Sequence, residues 1–262
     1  MKIGFIGVGN MGQALIYGLL SSAFESRDIV VFDTNTEKLD DLRKLEFCVA
    51  GSENEVEQKS DIIIFAVKPN VLDSVLSAMT GYKDKIYLSI AAGVTINHLE
   101  EILGNDKKIV RAMPNTPAQV GCGMTVITPN KNLTPFEAST VSLMLKSVGD
   151  VLEMPEKFMS VATALHGSSP AYVYMLIDAM ADAGVKYGLT KKQSLALAAK
   201  AVEGSARMVL ETGITPEQLK INVCSPGGTT IEAVKNLEEN SFNSIIESAI
   251  RACVNKAEIM SK

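Results

Sequence analysis

The chain has 262 residues, of which 47% are hydrophobic, 21% charged and only 5% aromatic, with no Trp and a formal net charge of −5. This composition supports packed cores in one or two domains and excludes general disorder. The acidic balance argues against a nucleic-acid partner, which requires a basic face.

Lys2–Ile6 reads as a strand, and Gly7-Val8-Gly9-Asn10-Met11-Gly12 follows it directly, opening a helix over Met11–Leu20. A Gly-x-Gly-x-x-Gly placed between strand and helix is the context in which that motif binds a dinucleotide. Gly7 permits the tight turn, Gly9 lets the backbone approach a pyrophosphate, and Gly12 allows close helix packing. The free N–H groups of the helix start then face the phosphates. A second strand, Ile29–Asp33, ends about 20 residues later, where an acidic side chain accepts hydrogen bonds from the adenosine ribose. Thr34, Asn35 and Thr36 beside it are small and polar, with no Arg to clamp a 2′-phosphate. The alternative for Asp33 is a surface carboxylate that merely closes a strand.

A charged helix, Thr36–Leu45, leads to the continuous apolar run Asp61–Val67, a strand buried on both faces as parallel sheets require. It ends in Ala66-Val67-Lys68-Pro69. Helix Val71–Met79, strand Ile86–Ile90 (ending in Ala91-Ala92-Gly93), helix Ile96–Leu103 and strand Ile109–Met113 follow. Small residues at strand ends leave room for a cofactor, so Ala66, Val67, Lys68, Pro69, Ala91 and Ala92 join the candidate site, although Lys68 also reads as a solvated lysine. Pro114 and Pro117 stiffen the next loop and hold Asn115 and Thr116, either toward a ligand or as a rigid turn. Gly123–Thr128 and Asp150–Met154 read as further strands, flanking a helix opened by Thr134 with a Glu137 capping box and Pro135 at its first position.

Beyond about residue 156 the strand pattern stops. Ala171–Tyr187, Lys191–Thr212, Gln218–Val223, Thr230–Glu238 and Phe242–Lys262 read as helices. The first is apolar on nearly every side except an i, i+4 stripe of Asp178, Asp182 and Lys186, which predicts burial partly by a second subunit. Ser225-Pro226-Gly227-Gly228-Thr229-Thr230 precedes the fourth, and successive N–H groups at a Gly-rich helix start suit a carboxylate. The fold class is therefore α/β: a Rossmann-type, doubly wound and mostly parallel sheet in residues 1–155, then an all-helical dimerisation and substrate domain in residues 156–262. Cys48, Cys122, Cys224 and Cys253 lack Cys-x-x-Cys spacing and, with only His98 and His166, form neither a metal site nor a disulfide framework. A cytoplasmic location is expected, with no apolar stretch near the roughly 20 residues of a membrane span and no signal-peptide pattern after Met1.

Across essentially the whole chain, GFIGVGNMGQAL, AVKP, AAGVT, RAMPNTP, PAYVYMLIDAMADAGVKYGL and SPGGTTIEAV resemble the pyrroline-5-carboxylate reductase family, the last three in this order being specific to it. The resemblance implies reduction of L-1-pyrroline-5-carboxylate to L-proline, the last step of proline biosynthesis, with NADPH or NADH. It also implies a dimer with interlocked helical domains, in some members built into a ring, and a site formed with the partner subunit. The family's substrate loop falls on Ser225–Thr230. Backbone N–H groups of Gly227, Gly228 and Thr229 would hold the substrate carboxylate, and Thr230 would hold the imine nitrogen. Two segments depart from the family's usual pattern: His166 and Ser169 stand where a Ser and a Gly are common, and Asp33-Thr34 stands where Asn-Arg is common, so that from the second NADH is expected to serve at least as well as NADPH. Rival readings are a β-hydroxyacid dehydrogenase, whose Lys and nearby Asn are not matched on Ala171–Tyr187, and a non-catalytic dinucleotide-binding protein.

Overall fold

The computed structural model describes residues 1–261. In chain order it begins β1 (Ile3–Ile6), α1 (Asn10–Leu20), β2 (Ile29–Phe32), α2 (Thr36–Lys44), β3 (Cys48–Val49), α3 (Glu53–Lys59), β4 (Ile62–Phe65), α4 (Pro69–Ser77), β5 (Ile86–Ser89) and α5 (Ile96–Leu103). It continues β6 (Lys108–Met113), β7 (Gly123–Pro129), α6 (Pro135–Leu145), β8 (Gly149–Glu153), the short α7 (Met159–Ala162) and a π turn over Thr163–Gly167. Five further helices follow: α8 (Ser169–Lys186), α9 (Lys191–Thr212), α10 (Pro216–Val223), α11 (Thr229–Glu239) and α12 (Phe242–Met260). The expected elements are present within a few residues of their predicted ends, and the capping box at Thr134 and Glu137 is formed. The residue 262 end predicted for the last helix lies outside the described residues. Four elements were not anticipated: β3, α3, α7 and the π turn. Cys48–Val49 is too short for a periodic signal, and Glu53–Lys59 buries only Val56 and Glu57.

The strands form one sheet in the order β3-β2-β1-β4-β5-β6-β7-β8, parallel throughout except between β6 and β7. Alternation of side chains along each strand divides the core between the two faces. Ile3, Phe5, Ile29, Val31, Ile62, Ile64, Leu88 and Val110 pack with α1 and α6, whereas Ile6, Val30, Ile63, Phe65, Tyr87 and Ile109 pack with α3, α4 and α5. On the second face Glu57 is wholly buried, and its carboxylate accepts from Tyr87 Oη (2.6 Å), Thr80 N–H (2.8 Å) and Gly81 N–H (2.9 Å). Burial first, then the Glu57 hydrogen bond and charge, pushes the Tyr87 phenol up from its ordinary range, so it remains a donor.

Contacts divide the chain into two compact units: residues 1–168 together with the segment from Cys253 onward, and Ser169–Ala252. In the second unit α8 and α9 close through small residues. Ala181, Ser194 and Ala198 are buried, and a Cβ on Gly184 would lie 2.5 Å from Ser194 Oγ. Lys191 bonds both Asp178 and Asp182 at 2.6 Å, which accounts for the polar stripe on α8.

The apolar remainder of α8 is not buried within the chain: Tyr174, Met175 and Leu176 are exposed, and Ala181 is its single fully buried residue among those described. Among the described residues, none of α10, α11 or α12 is fully buried. Met208, Val209, Ile214, Leu219 and Val223 line an apolar groove of about 440 Å³ on α9, α10 and their connection. Exposed apolar area of this extent marks an association surface.

Two outcomes follow from these packing features. Tyr87→Phe leaves a buried carboxylate short of one donor and lowers the unfolding free energy by about 1–3 kcal/mol; denaturant titration showing no loss would contradict this role. Light scattering at micromolar concentration gives a dimer or larger assembly, and a monomer with unchanged helicity and melting would contradict the assignment of the exposed faces.

Candidate functional site

The carboxyl ends of the mutually parallel β1, β4, β5 and β6 open on one side of the sheet, where doubly wound folds bind ligands. The loop after β1 is shaped by three glycines with different constraints. Gly7 has φ +96°, and a Cβ there would come 2.6 Å from the Ala66 carbonyl oxygen, so glycine is required for conformation and for space. A Cβ on Gly12 would lie 2.7 Å from the Gly7 carbonyl oxygen. Gly9 has no atom within 4 Å of its Cβ position, which leaves its face open to a ligand.

That open face borders a cleft of about 350 Å³. It is lined by Gly9, Asn10 and Met11 from the α1 start, by Ala66, Val67, Lys68 and Pro69 after β4, by Ala91 and Ala92 after β5, and by Asn115 after β6. Gly7, Val8 and Gly12 lie behind this surface, buried in the turn. Lys68 is exposed and lies at the N-cap of α4. Sequence reasoning missed the part played by Gly167, which comes from the π turn to line the cleft beside Met113 and Pro114. The short Ser-Ser-Pro signal after it gives no hint of a widened helical turn.

Asp33 lies below the glycine loop rather than turned into solvent. Its Oδ2 accepts from Val8 N–H at 2.7 Å and its Oδ1 from Asn35 N–H at 2.8 Å, while Gly7 N–H bonds the Phe32 carbonyl. The carboxylate thus ties the end of β2 to the turn after β1, with lone pairs left for further donors. Thr34 is exposed next to it. The Asn115 side chain is likewise engaged with backbone: Nδ2 donates to the His166 carbonyl (3.1 Å) and Oδ1 accepts from Met124 N–H (2.9 Å).

The starts of α1 to α6 and α9 to α11 divide into two groups. Helices α2, α3, α5, α6, α9 and α10 are capped by side-chain oxygens of Asn35, Ser52, Thr95, Thr134, Thr190 and Thr215. Helices α1, α4 and α11 begin at Gly9, Lys68 and Gly228 without a side-chain cap. First-turn N–H groups need partners: the starts of α1 and α11 leave theirs to a ligand or water, whereas at α4 Pro69 has no N–H and Val71 N–H bonds the Lys68 carbonyl (3.0 Å), so that only Asn70 N–H remains.

The Ser225–Thr230 segment belongs to the helical unit. Ser225 to Gly228 make a turn closed by Gly228 N–H to the Ser225 carbonyl (3.0 Å), with Gly227 at φ +69°. The Gly228 N–H is therefore engaged within the turn, and Thr229 and Thr230 supply the first N–H groups of α11. Among the described residues no three His, Cys, Asp or Glu side chains gather as a metal site, and no helix is long and apolar enough to cross a membrane.

The family described as pyrroline-5-carboxylate reductase dimerisation matches residues 156–260, and one described as NADP oxidoreductase coenzyme F420-dependent matches residues 2–93. The chain is 47% identical to the pyrroline-5-carboxylate reductase of Escherichia coli over 100% of this chain and 98% of the relative. It is 36% identical to that of Arabidopsis thaliana over 100% and 96%. Among solved structures, a pyrroline-5-carboxylate reductase from Coxiella burnetii superposes with TM-score 0.92 at 33% identity, covering 100% of this chain and 98% of that one. The Plasmodium falciparum pyrroline carboxylate reductase with NADP bound superposes with TM-score 0.89 at 36% identity over the same shares. With full-length identity at this level joined to the same fold, the chain belongs to the pyrroline-5-carboxylate reductase family.

Proposed function

We infer that this chain reduces the cyclic imine L-1-pyrroline-5-carboxylate to L-proline with a reduced nicotinamide dinucleotide, the last step of proline biosynthesis. The observation that carries the reading is the uncapped start of α1 at Gly9, open to a ligand and facing the cleft at the strand ends. The residues present fit the dinucleotide. N–H groups of Gly9, Asn10 and Met11 hold the pyrophosphate, shaped by Gly7, Val8 and Gly12. Asp33 and Thr34 border the adenosine ribose, and Ala66, Val67, Lys68, Pro69, Ala91 and Ala92 form the walls. When bound, the dinucleotide supplies the hydride.

The protein's own residues bind and orient the imine. Thr229, Thr230 and Gly227 N–H groups receive the carboxylate, while Ser225 and Gly228 fix the turn that presents them. Thr230 Oγ1 holds the imine nitrogen: as acceptor it bonds the N–H of an imine that enters protonated, so the carbon is electrophilic without a strong protein acid. Asn115 acts on the cleft through the backbone groups it holds.

Self-association is a property of the family's helical region, and we extend it to a dimer that can assemble into a larger ring. In functional terms residues 1–155 carry the dinucleotide and residues 156–262 carry dimerisation and substrate binding. A cytoplasmic location, without a membrane or nucleic-acid partner, accords with the four free cysteines and the net charge of −5.

Mixing the protein with NADH or NADPH and pyrroline-5-carboxylate is expected to deplete the absorbance of the reduced nicotinamide and form proline; no turnover with either dinucleotide would refute the reading. Thr230→Val removes a hydrogen bond to a charged group, worth about 1.5–3 kcal/mol, so turnover falls roughly ten- to a hundredfold while dinucleotide affinity holds. Unchanged kcat/KM would remove Thr230 from the mechanism.

Cofactor choice is tested at Asp33. A 2′-phosphate about 4 Å from its carboxylate meets a repulsion of about 4 kcal/mol at an effective dielectric of 20, reduced by exposure and salt to about 1–2 kcal/mol. NADH is therefore expected to serve at least as well as NADPH. Asp33→Ser removes the charge and the tie to Val8, so affinity falls for both dinucleotides and preference moves toward NADPH. A wild type favouring NADPH by about tenfold or more, a gap of about 1.4 kcal/mol, with preference unmoved by the substitution, would show that Asp33 does not select.

A further inference from the structure

His166 stands outside the proposed chemistry, yet both of its ring nitrogens are engaged. Nδ1 lies 2.5 Å from the Ala162 carbonyl oxygen and Nε2 2.7 Å from the Met113 carbonyl oxygen. A carbonyl oxygen only accepts, so an imidazolium serves both contacts and each neutral tautomer serves one. The same two segments are joined in the opposite sense, because Asn115 Nδ2 donates to the carbonyl of His166 itself. The end of β6 and the π turn are thus clamped reciprocally: ring to backbone one way, amide to backbone the other.

The local geometry serves this clamp. Ser168 N–H bonds the Thr163 carbonyl five residues back at 2.8 Å, and such single wide turns occur preferentially at functional sites. Gly167 then passes so close to Met113 that a Cβ would lie 3.1 Å from Met113 Cε. Met113, Asn115 and Gly167 all border the cleft.

We propose that His166 is a positioning residue for the reduction: its Nε2–H holds the Met113 carbonyl and so fixes the Pro114–Thr116 loop as the cleft wall. The proposal rests on the reading of that cleft as the dinucleotide site. A displacement of about 1 Å in a wall that orients reactants costs on the order of a hundredfold in rate, so one misplaced hydrogen bond is enough to register.

Two polar variants separate the ring's contacts, because an Asn amide nitrogen falls near the Nδ1 position and a Gln amide nitrogen near Nε2. His166→Gln keeps the bond to Met113, and His166→Asn keeps only the bond to Ala162. In the assembled enzyme, H166Q is expected to stay within about threefold of wild-type kcat and H166N to fall about tenfold or more, the scale of one hydrogen bond, with the imine KM nearly unchanged. Amide hydrogen exchange over residues 113–124, followed without dinucleotide, is expected to accelerate in H166N and to match wild type in H166Q. Equal kcat and equal exchange in the two variants would overturn the proposal, whether both resemble wild type or both are impaired. If exchange separates the variants while the wild type reduces no imine, the clamp stands and the functional reading of the cleft fails.

Discussion

The approach of Gly12 to the Gly7 carbonyl, with Ala66 on the other side, is the constraint on which the N-terminal unit's cleft depends. No Cβ fits at Gly7 or Gly12, so the first helix starts directly over the strand ends and aims its free N–H groups across them. Every other wall is positioned relative to that start. Asp33 reinforces it from below by binding Val8 N–H, and the sheet register brings the ends of β4 and β5 alongside. A side chain at either glycine would displace the α1 start from three strands at once.

The distribution of helix caps shows how stability and binding are divided within the fold. A side-chain cap typically contributes about 1 kcal/mol, and six helices have one. The three uncapped starts forgo that contribution; the first N–H groups of α1 and α11 are available to anions, and α4 adds only that of Asn70. Two of the starts flank the cleft, and the third begins α11 behind the Gly227-Gly228 turn. The folded chain therefore carries unsatisfied donors at the positions where phosphates and a carboxylate are proposed to bind.

How much was legible in the sequence follows from the range of each interaction. Strand and helix periodicities reflect local burial, which is why the alternating layout and the Gly7–Gly12 turn could be read directly. The engagement of Asp33 with Val8 spans 25 positions and that of His166 with Met113 spans 53; neither leaves a periodic trace. Glu57 looks like one more charge on a polar helix, and only the fold shows three donors converging on it. The apolar character of Ala171–Tyr187 was legible too, but what it covers lies outside the single chain.

Because α10, α11 and α12 bury no residue fully within their own chain, the helix that presents Thr230 is not stabilised by the subunit alone. Its order is set by mass action. On dilution the helical unit loosens along a dissociation curve, while the glycine turn and the sheet core of the N-terminal unit follow their own unfolding equilibrium. With the imine held by α11 as proposed, dinucleotide binding and imine binding would have different concentration dependences in one polypeptide, and a substitution on the outer face of α8 would weaken substrate capture without contacting substrate.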